Sequence, residues 1–148
     1  MENGLFYRHE VKIEAPAEVV WDAFVDPENS SEFLFGCQLL SDWELGSSVK
    51  WEGNEDGAIY AQGIVVTFDE YKELAFTVYD PDSKYNDAPE NHLVARFTFE
   101  YADGITTLKI KQGDYSKVEN GEQRHRDSSG WVTVFEDLKQ MIEEMELE

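Results

Sequence analysis

Residues 93–113 read LVARFTFEYADGITTLKIKQG, and this stretch decides the fold. Leu93, Ala95, Phe97, Phe99 and Tyr101 alternate with Val94, Arg96, Thr98 and Glu100, which is the period-two pattern of a strand with one dry face and one wet face. Asp103-Gly104 follows at once, a pair that favours a tight hairpin because both residues tolerate positive φ. The chain then returns through Ile105 to Lys111 with Leu108 and Ile110 on the dry face. Two antiparallel neighbours with one apolar side require a cover for that side.

The cover lies at the end of the chain. Trp131, Val134, Phe135, Leu138, Ile142 and Met145 recur at helical spacing and predict one amphipathic helix. Its start has two candidates: Asn120 with Gln123 forms one capping pair, whereas the apolar stripe begins only after Ser128 and Ser129. Working backwards, strands are predicted at Leu74 to Val78, Ala58 to Phe68, Val49 to Trp51 and Leu39 to Trp43, separated by turn residues such as Glu44-Leu45-Gly46-Ser47. Near the start, Tyr7, His9, Val11 and Ile13 alternate with Phe6, Arg8, Glu10 and Lys12 as a first strand. Ala15-Pro16-Ala17-Glu18 then opens a helix, with proline and an acid in its first turn, and Asp26-Pro27 stops it after Val25. A second short helix is predicted over Ser31 to Phe35. Two long polar stretches, Asp80 to Asn91 and Gly113 to Ser128, are expected at the sheet's end, where they would flank a ligand's route inward.

Composition narrows the class. A chain of 148 residues fits one domain, 1–148, with a core large enough to need no disulfide or metal. The single Cys37 and a start that does not read as a signal peptide predict a reducing, cytoplasmic setting. No run approaches the roughly 18 apolar residues of a membrane span. With 32 acidic against 12 basic side chains the net charge is -20, so nucleic acid and anionic membranes are not expected partners. The acidic excess is spread along the chain, as on a solvated surface; a saline or alkaline habitat or a basic partner surface would also account for it.

The familiar catalytic patterns do not appear. His9, His92 and His125 lie far apart without metal-ligand spacing, and Asp80-Pro81-Asp82 departs from a calcium loop at Lys84. There is no GxGxxG after a strand, no GxxxxGK and no GxSxG, so no cofactor is predicted. What stands out is aromatic content, 14% of residues, with Trp21, Trp43, Trp51 and Trp131 in or beside predicted elements. Core packing accounts for much of it. An antiparallel sheet curled round one helix can also leave an apolar pocket at one end. His9 shares the inward face of its strand with Val11 and Ile13, and would there orient a ligand carbonyl or hydroxyl; Tyr7 and Cys37 are weaker candidates of the same kind.

The run Ala15-Pro16-Ala17-Glu18-Val19-Val20-Trp21-Asp22-Ala23-Phe24 with Asp26-Pro27 resembles the first helix of the domain family named for the activator of heat-shock protein 90 ATPase. Gly63-Ile64-Val65 before Leu74-Ala75-Phe76-Thr77, and Gly130-Trp131 followed by Phe135 and Leu138, are similar to its later landmarks. The family belongs to the START-like, or SRPBCC, superfamily. The resemblance implies an α+β helix-grip fold: a curved antiparallel β-sheet wrapped around a long C-terminal α-helix, with two short helices after the first strand. It also implies that the last helix extends upstream of Gly130, towards the Asn120 cap. Superfamily relatives bind lipids, sterols or polyketides, and a few are cyclases. In the eukaryotic namesake a separate N-terminal domain contributes much of the chaperone contact, and this sequence contains no Asn-Asn-Trp-His-Trp segment of the kind that marks it.

Three functions follow as expectations. The first is binding of a small apolar or amphipathic ligand between the dry face and the last helix, with walls from Trp51, Phe76, Phe97, Phe99, Trp131 and Phe135, a rim from Phe33 and Phe35, and His9 as the polar group. The second is a chaperone accessory role, in which the acidic surface meets a heat-shock ATPase. The third is cyclisation, dehydration or hydrolysis in the same pocket with His9 or a carboxylate as acid or base, which nothing in the residue spacing demands.

Overall fold

The computed structural model describes residues 5–26, 37–53, 55–79, 93–117, 121–127 and 131–146. Its strands are β1 (Tyr7–Ile13), β2 (Cys37–Ser41), β3 (Ser48–Gly53), β4 (Ile59–Asp69), β5 (Glu73–Val78), β6 (Leu93–Ala102) and β7 (Ile105–Gly113). Helix α1 (Ala17–Val25) follows β1, while a 3-10 turn (Tyr115–Lys117), α2 (Gly121–Asp127) and α3 (Trp131–Glu146) follow β7. The strands form one antiparallel sheet in the order β1-β7-β6-β5-β4-β3-β2. This is the curved sheet and C-terminal helix expected from the sequence. The predicted short helix at Ser31 to Phe35 and the stretch Asp80 to Asn91 lie outside the described residues.

The β6–β7 hairpin turns as its sequence requires. Asp103 and Gly104 have φ of 54° and 84°, and Ala102 faces Ile105 across a two-residue loop. Leu93, Ala95, Phe97 and Phe99 are buried, but Tyr101 is 54% exposed, which corrects its expected place on the dry face. It stands next to the hairpin turn. In α3, Val134, Phe135, Leu138 and Ile142 are buried as predicted, whereas Met145 in the last turn is 43% exposed and Met141 packs on the core instead. Trp43 does not extend β2: its φ of 55° breaks the strand, which ends at Ser41. The polar stretch after Gly113 is not all loop, since it holds the 3-10 turn and α2. Helix α2 begins one residue after the cap that the resemblance implied.

Gly63 shows why one landmark must be glycine. A Cβ there would lie 1.8 Å from the Thr77 carbonyl oxygen, so β4 and β5 approach backbone to backbone. Two polar contacts fix the helices on the sheet. Thr106, fully buried on β7, donates its hydroxyl to the Ala15 carbonyl at 2.7 Å and holds the corner between β1 and α1. At the same corner the Glu14 amide donates to Glu143 of α3 at 2.9 Å, and Lys139 donates to that carboxylate at 2.6 Å.

The Lys139 hydrogen bond, followed by the Glu14 amide, holds the Glu143 carboxyl below its ordinary value. A depressed carboxyl stabilises the fold fully above the unfolded pKa and loses that contribution as pH falls through the folded one. Glu143→Gln should therefore be less stable than the parent chain at neutral pH, with the gap closing below the ordinary carboxylate range. Urea unfolding midpoints measured from neutral to about pH 3 check this.

Candidate functional site

Aromatic rings line the space between the dry face and the helices. Phe97 on β6 lies 5.8 Å from Phe76 on β5, 4.7 Å from Phe24 on α1 and 6.0 Å from Phe135 on α3, measured between ring centroids. Trp131 stacks on Phe135 at 6.2 Å and meets Trp51 of β3 edge-on at 5.6 Å. Trp51, Phe76, Phe97, Trp131 and Phe135 thus stand around one cavity of about 10 Å³. Leu39, Phe24, Ala95 and Gln112 complete its lining among the described residues. That space holds at most about one water.

Phe99 is elsewhere. Its ring packs edge-on against Trp21 at 5.3 Å and Phe24 at 5.9 Å, under α1, and it does not line this cavity. Phe33 and Phe35, expected at the rim, lie outside the described residues, and Cys37 is described only as the first residue of β2.

Polar groups gather at the β1 side of the aromatic wall. Tyr7 pairs with Gln112 across β1 and β7, and His9 pairs with Ile110. Gln112 donates to the Tyr115 hydroxyl at 3.0 Å. The Tyr7 and His9 rings lie 6.4 Å apart, and His9 is 6.4 Å from Phe135. His9 Nε2 comes within 3.4 Å of Glu136 Oε1 on α3, near enough for attraction but without hydrogen-bond geometry. Among the described residues two buried side-chain polar atoms make no hydrogen bond, Tyr7 Oη and His9 Nε2.

Burial, then the neighbouring Tyr115 and Glu136, push the Tyr7 phenol up to about 12. It stays protonated through the physiological range and remains a donor. Among the described residues no three His, Cys, Asp or Glu side chains converge as metal ligands, and no helix is long and apolar enough to cross a membrane. Sequence reasoning did not assign Gln112 and Tyr115 to the site. Gln112 had a signal, because it continues the inward alternation of Leu108 and Ile110. Tyr115 had none, since a 3-10 turn carries no such period.

Comparison with known proteins gives this architecture a family. Residues 14–143 match the family described as Activator of Hsp90 ATPase homolog 1-like protein, and the chain belongs to that family. A protein from Cytophaga hutchinsonii, solved in solution, is 30% identical over 100% of both chains with a TM-score of 0.77. An HSP90 activator from Plasmodium falciparum shares the fold at 14% identity and TM-score 0.71, over 94% of this chain and 96% of its own. The Aha1 dimer from Colwellia psychrerythraea shares it at 16% identity and TM-score 0.71, over 93% and 96%. No curated protein matches the sequence.

An orphaned buried hydroxyl costs about 1–3 kcal/mol, whereas removing it with its shape preserved costs little. Tyr7→Phe should leave the free protein as stable as the parent or more stable, by up to about 1 kcal/mol, as read from the urea midpoint. A clear loss of stability would mean that the hydroxyl already has a partner in the folded state.

Proposed function

We propose that this chain binds one small apolar or amphipathic molecule between the dry face of the sheet and α3, with Tyr7 and His9 meeting the ligand's oxygen. The observation that carries the reading is a pair of buried atoms that make no hydrogen bond among the described residues, Tyr7 Oη and His9 Nε2, the second facing Glu136 at 3.4 Å, at the head of an aromatic wall. A buried polar group without a partner is costly, and a ligand carbonyl or hydroxyl would satisfy both atoms. The phenol donates, and the imidazole nitrogen donates or accepts according to its tautomer. The ligand class follows: an apolar body carrying one oxygen-bearing end, as in fatty acids, sterols and aromatic polyketides.

A cavity of about 10 Å³ cannot hold such a body, so binding must move part of the wall. Trp131 is the side chain placed to move, being only partly buried at the first turn of α3 and in contact with Trp51. Displacing it would separate the two indoles, and tryptophan emission would report the change. Titration with representatives of the three ligand classes should give a saturable change with at least one, and Tyr7→Phe should weaken that ligand about tenfold, the worth of one hydrogen bond. Absence of a saturable signal with every class would overturn the reading.

A second reading rests on the family itself, whose description refers to the activation of a chaperone ATPase. The charge of -20 supplies a means, because complementary fields speed encounter with a basic surface and weaken with salt. Excess protein at low salt should then raise the turnover of a heat-shock 90-type ATPase, and unchanged turnover would count against it.

A further inference from the structure

The charge beside the interior site has a sign. Glu136 Oε1 of α3 lies 3.4 Å from His9 Nε2. With the imidazole neutral the pair carries one negative charge, and with it protonated the two charges cancel, so the pair never presents a net positive charge. The cavity wall adds none. Among the described residues its lining holds no charged side chain, and Gln112 and two indole N–H groups are its only polar side-chain groups. Arg8 of β1 and Lys111 of β7 alternate onto the opposite face of the sheet. His125 packs on the Tyr115 ring at 5.6 Å, with its Nε2 3.0 Å from the Phe6 carbonyl oxygen.

Tyr7 already feels the consequence. Its phenol is pushed up to about 12 by burial first, then by Tyr115 and Glu136. Burial and the Glu136 carboxylate act in the same way on any negative oxygen brought to this position. A ligand oxygen that accepts from His9 Nε2 at an ordinary length of about 2.9 Å would lie within about 6 Å of Glu136 Oε1. An ionised carboxylate there meets a like charge, and the wall beyond offers it no cation. An ammonium fares little better. Glu136 would attract it, but Glu136 is half exposed, and no carboxylate lines the cavity in which the ammonium would lose its water.

Resting on the reading that this interior takes an apolar or amphipathic ligand, we infer that the ligand's oxygen is uncharged, a hydroxyl or a carbonyl, and that Glu136 is the residue that excludes carboxylates. Tyr7 donates to that oxygen, and His9 donates as well when Nε2 carries its hydrogen. A carboxylate could accept the same two bonds, so hydrogen bonding does not choose between the two kinds of ligand. Charge does. A neutral oxygen satisfies both buried atoms without bringing an unpaired charge into an apolar wall. The ligand class narrows to alcohols, sterols and ketones in preference to free fatty acids at neutral pH.

Calorimetric titration at neutral pH compares probes that share a skeleton: decanol with decanoate and decylammonium, and methyl naphthyl ketone with naphthoate. In at least one series the neutral probe should bind at least about tenfold tighter than its charged counterparts. Glu136→Gln should tighten the carboxylate of that series at least about threefold and change the neutral probe by less than about twofold. Asp137→Asn, which removes the same charge from the next position of α3, should change neither. Both residues are exposed, and circular dichroism with the thermal midpoint checks that the variants fold. Saturable binding in which a charged probe equals or exceeds its neutral counterpart in both series, or a carboxylate affinity that Glu136→Gln does not raise, overturns the inference while the ligand-binding reading stands. No saturable binding of any probe overturns both.

Discussion

Phe97 is where the structure is joined. Its ring meets Phe76 within the sheet, Phe24 from α1 and Phe135 from α3, so a single side chain lies against every layer that covers the dry face. The constraint behind it is simple: an antiparallel sheet with Leu, Phe and Ala on one side cannot leave that side in water, at about 25 cal/mol for each Å² exposed. The two helices arrive from opposite ends of the chain to cover it. Polar ties join them at the β1–α1 corner, where Thr106 and Glu143 satisfy backbone groups of residues 14 and 15. Apolar burial brings the layers together, and these hydrogen bonds tie β1, β7 and α3 at one corner.

Against that background, Tyr7 Oη and His9 Nε2, buried without a hydrogen bond among the described residues, are an exception that calls for a reason. Other inward polar groups are satisfied, Thr106 by Ala15 and Gln112 by Tyr115. Leaving two such atoms beside an aromatic wall costs stability at one place, which is the cost that the proposed ligand would offset. Under the proposed reading, the near-absence of free volume there makes ligand entry and side-chain displacement one event. Affinity would then include the cost of moving the wall.

Charge is distributed on a similar principle. The acidic excess gives the molecule a long-range repulsive field, yet three strands concentrate basic residues on one face.

The sequence by itself determined the elements. Alternation in residues 93–113 gave the hairpin and its dry face, and the stripe from Trp131 to Ile142 gave the covering helix, because both periods are local properties of the chain. Even Tyr7 and His9 could be assigned to the inward face of β1. What the sequence did not show was which residues meet across strands. β1 pairs with β7 about a hundred residues away, and only that register sets Tyr7 beside Gln112 and Arg8 beside Lys111. Phe97 and Phe99 read alike in one strand, yet the crossing of the helices sends one to the cavity and the other to Trp21. Tyr101 and Met145 keep the right period but lie where the cover ends. Local pattern says which way a side chain points; only the packing of distant segments decides what it meets there, since that depends on contacts no local window contains.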